Sequence, residues 1–186
     1  MNSMRFFGCF GFWIIFVSIS DAQTPTPTPT QTITREPMTN SRIDATLRKL
    51  DLEMVGGDGR WRVIVEGREV MLITDESANR MRILTPVVPA ADLTEENLRR
   101  AMQANFDSAL DARYAIAKET LWSTFVHPLG SLDDEALLLG LGQVVNLAST
   151  FGSSYSSGLL LFGGGDSRRI RERELIDELI DKGLAI

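Results

Sequence analysis

The apolar residues of this chain recur with two spacings, one typical of helices and the other typical of strands. Ile43, Leu47 and Leu50 share one helical face, which predicts a first helix capped by Asn40 or Ser41. A second helix is predicted to turn four apolar residues, spaced by four, toward the core: Leu98, Met102, Phe106 and Leu110. Both helices are therefore expected to pack through one apolar stripe.

Segments rich in β-branched and aromatic residues alternate with turn residues through the middle of the chain. They predict five strands, at residues 60–65, 68–74, 80–88, 114–118 and 121–126. Short turns join the first three strands, so an antiparallel meander is expected. Gly56-Gly57-Asp58-Gly59 is predicted as a turn, because it lacks the Gly-Lys-Ser/Thr ending of a phosphate loop.

Both faces of the predicted sheet carry apolar side chains. Trp61 shares a face with Val63, and Met71 shares one with Ile73, but alternation alone leaves open which face each pair occupies. The predicted helices are too few to cover both faces, so the uncovered face is expected to contact a partner. Trp61, Met71, Ile73 and Phe125 are the candidate partner-binding residues, because aromatic and Met side chains dominate such surfaces.

The most apolar segment follows the His127-Pro128 turn and is predicted to be a long buried helix, capped by Ser131 and stopped by Gly152. Its apolar residues recur every three or four positions: Leu137, Leu138, Leu141, Val144, Val145 and Ala148. Gly140 and Gly142 weaken a helix, and they are expected here only where another backbone packs close against that turn.

The elements predict an α+β fold class, with a single antiparallel sheet of about five strands packed against helices in the order α-βββ-α-ββ-α. This domain is expected to span residues 41–165. A C-terminal amphipathic helix is expected over residues 166–186, capped by Asp166.

Residues 1–22 are predicted to be a secretory signal peptide, with a basic residue before an apolar stretch and small residues at its end. Cleavage between Ala22 and Gln23 would release an exported protein, periplasmic or extracellular, without a stable membrane span. The alternative is an uncleaved anchor, although the stretch is shorter than the roughly 20 residues that span a bilayer. Residues 23–40 are predicted to be a Thr/Pro-rich linker.

Few residues offer catalytic chemistry. His127 is the single histidine, so a His-based metal cluster is excluded and a Ser-His-Asp arrangement would have to use it. The pairs Glu95-Glu96 and Asp133-Asp134 are explained by first-turn capping, and Cys9 lies within the predicted signal peptide. The sequence therefore predicts no catalytic residue, cofactor or metal. A net charge of -6 without a clustered basic surface argues against nucleic acid as a partner.

The segment LWSTFVHPLGSLDDEALLLGLGQVV, with the order of elements over residues 41–158, resembles the YbjN family of bacterial proteins. The fold of that family is similar to that of the type III secretion chaperones. The resemblance implies a chaperone-like module that binds protein, often as a dimer, without catalysis or cofactor. Such chaperones are cytosolic, so the predicted export is a departure from them.

Two functions follow from these observations. The first is a non-catalytic, exported module that binds a protein or peptide partner, in which a second copy of the chain is one possible partner. The alternative is an unrecognised extracytoplasmic hydrolase that uses His127.

We expect the mature protein to begin at Gln23, because small residues precede it at the end of the apolar stretch. N-terminal sequencing of exported material measures this directly. An exported form that retains Met1 would contradict the prediction and favour the anchor.

Overall fold

The computed structural model describes residues 36–158 and 167–185, and for 167–172 it describes the backbone alone. The predicted signal peptide, its cleavage point at Ala22 and Gln23, most of the linker and the predicted cap Asp166 lie outside the described residues. The described residues all belong to one compact unit.

The described residues form six strands and four helices, apart from two short 3-10 turns. The strands are Met54–Gly57 (β1), Arg60–Val65 (β2), Arg68–Asp75 (β3), Arg80–Pro89 (β4), Arg113–Ala117 (β5) and Thr120–His127 (β6). The helices are Asn40–Lys49 (α1), Glu95–Asp107 (α2), Asp134–Ser149 (α3) and Ser167–Leu184 (α4).

All six strands form one antiparallel sheet in the order β1-β2-β3-β4-β6-β5, which confirms the α+β class. The sequence predicted about five strands, because β1 contains two glycines and shows no side-chain alternation. Gly56 and Gly57 pair with Trp61 and Arg60 of β2, so the turn shrinks to Asp58-Gly59. This strand is defined by its backbone pairing with β2 and not by a pattern of side chains.

Helices α1 and α3 lie against one face of the sheet, which we call the covered face, and α4 packs on the outer side of α3. Trp61 of β2 donates its indole N–H to Asp44 of α1, over 3.0 Å. A side chain added at Gly140 of α3 would meet the ring of Phe125 in β6. The buried strand residues of this face include Trp61, Val63, Val65, Val70, Leu72, Met81, Ile83, Leu121 and Phe125.

Helix α3 is buried between the sheet and α4. A Cβ at Gly140 would lie 2.8 Å from the Phe125 ring, and a Cβ at Gly142 would lie 2.6 Å from Cγ1 of Ile176 in α4. The two glycines therefore allow close packing on opposite sides of one helix, but the atoms nearest to them belong to the side chains of Phe125 and Ile176 rather than to the backbone that was expected. The predicted cap was wrong by two residues: Asp133, not Ser131, accepts from the amide of Ala136.

The apolar stripe predicted for α2 does not face the core. Met102 and Phe106 are 54% and 95% exposed, whereas Ala101 and Ala104 are buried. Asn105 explains this orientation, because its side-chain amide bonds both the N–H and the C=O of Tyr114 on edge strand β5. Helix α2 thus packs closely through small residues and blocks part of that edge.

The cap of helix α1 is Thr39, one residue before Asn40 and two before Ser41, because Thr39 accepts from the amide of Arg42. Arg42 then forms a forked ion pair with Asp134 at the start of α3, with a closest distance of 2.6 Å. Burial raises the pKa of Asp134, but hydrogen bonds from Arg42 and Thr46 outweigh burial and hold this pKa below its usual value. The pair joins the two helix N-termini.

Replacing Val144 by Asp should destabilise the protein by about 3 to 5 kcal/mol, because the fully buried side chain would become an unpaired carboxylate. Val126→Asp is the matched control, because Val126 is 51% exposed on the opposite face and the cost there should be about 1 kcal/mol. Urea unfolding measures both free energies. Equal losses in the two variants would contradict the assigned faces.

Asp134→Asn should remove about 1 kcal/mol at neutral pH, because it neutralises a partly exposed pair. The lowered pKa of Asp134 means that this stability is present above the unfolded-state pKa and is lost as pH falls through the folded-state pKa. Urea unfolding from about pH 7 to about pH 3 should show a smaller acid loss in the variant. Asp58→Asn, at an exposed turn position, should keep the wild-type acid loss.

Candidate functional site

The sheet surface opposite the covered face, here called the open face, is covered by no described helix. Strand alternation and register place its side chains in rows that cross the sheet. One row runs Val55, Arg62, Met71, Leu84, Thr124 and Arg113. The next row runs Arg60, Ile73, Arg82 and Val126. Apolar side chains and arginines therefore alternate across the open face.

The apolar part of the open face is accessible to solvent. Val55 is 60% exposed and Ile73 is 41% exposed, and the half-buried Met71 and Leu84 lie beside them. Trp122 lies on the same face and donates its indole N–H to the carbonyl of Ala117. Leaving such side chains in water forgoes their burial energy, about 25 cal/mol per Å² of apolar surface. An exposed apolar sheet face is typical of an interaction surface.

Besides Arg80 at the start of β4 and Arg113 on edge strand β5, three arginines of the open face stand among these apolar side chains. Arg60, Arg62 and Arg82 are exposed, and none of them makes a hydrogen bond or ion pair with a described residue. The acids of this face, Glu69 and Asp75, lie at the two ends of β3 rather than between the arginines. The centre of the open face is thus basic, although the whole chain carries a net charge of -6.

A shallow hollow of about 500 Å³ opens in this region. The apolar side chains of Val55, Met71 and Ile73 line it, together with Arg60 and Arg62. Gly56 also lines it, and its φ of +107° is one that glycine adopts readily. The hollow therefore offers apolar contact and positive charge to the same ligand.

The structure separates the four candidate residues. Met71 and Ile73 lie together on the open face, beside the hollow. Trp61 and Phe125 are buried on the covered face, against α1 and α3, and are not part of the exposed surface. The reason is register: Trp61 pairs with the buried Leu72, whereas Met71 pairs with the exposed Arg62.

Sequence reasoning missed Val55, Leu84, Val126 and the three arginines. The alternation of side chains along β2 could have indicated that Arg60 and Arg62 share a face, since both flank Trp61 and must point away from it. That these arginines lie beside Met71 and Ile73 depends on the pairing of β2 with β3, which no single strand reveals.

His127 lies at the end of β6, half-buried, in a second open hollow of about 450 Å³ that Asp111 and Arg113 also line. Its Nδ1 lies 2.8 Å from the carbonyl of Pro128, and its ring stacks on Phe125 at 5.9 Å. Within the described part of the chain, no hydrogen bond joins His127 to a serine or a carboxylate. The geometry required of a Ser-His-Asp catalyst is therefore not assembled around His127 among these residues.

The described residues offer neither a metal-binding cluster nor a membrane-spanning helix. No group of three His, Cys, Asp or Glu side chains among them is placed to hold a metal ion. None of the helices in residues 36–158 and 167–185 has the length and apolar character needed to cross a membrane.

No protein-family profile and no curated protein matches the chain. Chains from solved structures are similar to it in fold. One, from the HopA1-SchA chaperone-effector complex, is 15% identical and matches 62% of this chain and 98% of its own, with a TM-score of 0.48. Another chain, from the ExsC-ExsE complex, is 16% identical. The match covers 60% of this chain and 91% of the other, with the same TM-score of 0.48.

A chain from the complex of the Yersinia pestis type III secretion chaperone SycH with a YscM2 fragment is also similar. It is 16% identical, over 61% of this chain and 98% of its own, with a TM-score of 0.48. Membership of the YbjN family stays a prediction.

Proposed function

We propose that this protein is a non-catalytic module that binds a protein or peptide partner on the open face of its sheet. One observation carries the proposal: the helices cover one face of a six-stranded sheet, while Val55, Ile73 and Val126 stay exposed on the other. A polypeptide laid on this face would bury those side chains and gain their transfer energy. Export of the module remains part of the proposal and is supported by the pattern of residues 1–22.

The hydrolase alternative receives no comparable support. Its one histidine lies against the carbonyl of Pro128, and no nucleophile is hydrogen-bonded to it within the described residues. The hollow beside it is open rather than a closed site that would exclude water.

The variant Met71→Ser/Ile73→Ser should weaken peptide binding at least about tenfold, because it removes two large apolar side chains from the contact. Fluorescence anisotropy with a labelled peptide library from an unfolded protein measures the affinity. Since Ile73 is 41% exposed and Met71 is half-buried, thermal unfolding should still show a folded variant.

Phe106→Ser is the matched control. It also replaces a large apolar side chain by serine, but Phe106 lies on α2 and is 95% exposed. Peptide affinity should be unchanged in this variant. A wild-type protein that binds no peptide, or equal losses in both variants, would contradict binding at the open face.

A further inference from the structure

The arrangement of arginines on the open face indicates the chemistry of its partner. This inference rests on the proposed function, since it concerns the same surface. Arg60 and Arg82 lie on either side of Ile73 in one cross-strand row, and Arg62 lies beside Met71 in the next row. With strands about 4.8 Å apart, the Cα atoms of Arg60 and Arg82 are separated by about 10 Å.

Three like charges at such distances repel one another, and none of the three arginines has a described acid as its direct cross-strand neighbour. Asp75 lies two residues beyond Ile73 on β3 and accepts hydrogen bonds from Ser77 and the amide of Ala78. The mutual repulsion of the arginines is relieved when carboxylates of a ligand enter the gap. We propose that the open face binds a polypeptide segment in which acidic and apolar residues are interleaved. The acids contact Arg60, Arg62 and Arg82, and the apolar side chains contact Met71, Ile73 and Val55.

The spacing of the arginines fits an extended polypeptide. Arg60 and Arg62 are two residues apart on β2, so their side chains stand about 7 Å apart along the strand. Met71 and Ile73 repeat the same spacing on β3. An extended segment that lies along these strands presents its own alternate side chains at that interval, so acids at alternate positions match the arginines.

Other occupants fit this surface less well. Two copies of the open face packed against each other would bring the arginines of one close to those of the other, and like-charge contacts are unfavourable. A chain with a net charge of -6 repels extended polyanions such as nucleic acid or an anionic membrane more than it repels a short acidic segment. Single-stranded nucleic acid also needs stacking aromatic side chains, and the open-face side chains that line the hollow beside Arg60 and Arg62, which are Val55, Met71 and Ile73, are not aromatic.

The test uses protein purified from cells that express the full chain. Three labelled peptide pools of equal length share the same apolar residues at alternate positions and carry Glu, Gln or Lys at the others. The Glu pool should bind about tenfold more tightly than the Gln pool, because three exposed ion pairs each contribute modestly. This preference should shrink as salt is raised, since salt screens exposed charges.

Arg60→Gln/Arg62→Gln/Arg82→Gln should abolish the preference for the Glu pool and leave affinity for the Gln pool within about twofold of wild type. Arg99→Gln is the control, because Arg99 carries the same charge on α2, where it pairs with Glu95. It should keep the full preference. Thermal unfolding establishes that each variant is folded.

The outcomes separate this inference from the proposed function. Equal binding of Glu and Gln pools, lost in Met71→Ser/Ile73→Ser, would overturn the inference and retain the proposed function. Binding of no pool would overturn both. Tighter, arginine-dependent binding of phosphatidylserine vesicles or a single-stranded oligonucleotide would overturn the assignment to a polypeptide. So would a dimer in sedimentation that the arginine substitutions abolish.

Discussion

The burial of α3 between the sheet and α4 is the constraint on which the rest of the structure depends. Gly140 lets the helix approach Phe125 of the sheet, and Gly142 lets α4 approach from the other side. A third contact, between Gly183 of α4 and Leu138, fixes the end of α4. Since protein interiors are closely packed, added methyl groups at these positions would separate layers whose contacts supply much of the core.

This packing makes the two faces of the sheet chemically different. The helices gather on the side of Trp61 and Phe125, where the forked Arg42–Asp134 pair also joins α1 to α3. The other side keeps its apolar residues and arginines accessible. An antiparallel sheet can expose one face to water, but that face is normally polar. Exposed apolar residues among arginines that pair with no described residue are therefore the feature that indicates a binding function.

The contrast between α2 and α3 shows where periodicity is reliable. In α3 the apolar stripe is broad enough that most orientations bury it, so its core role was predictable. In α2 the side-chain bonds of Asn105 to Tyr114 and the close approach of Ala101 and Ala104 set the orientation instead. The helix then leaves Phe106 in solvent, against the expectation from spacing alone.

The sequence by itself determined the helices and most strands, because local spacing, caps and turn residues act over a few positions. It also showed that Met71 and Ile73 share a face. Only the tertiary structure decided that this face is open and that Trp61 lies on the other. It also added β1 and brought Arg60, Arg62 and Arg82 around Ile73. Strand register and helix placement depend on contacts between residues far apart in the chain, which no local pattern encodes.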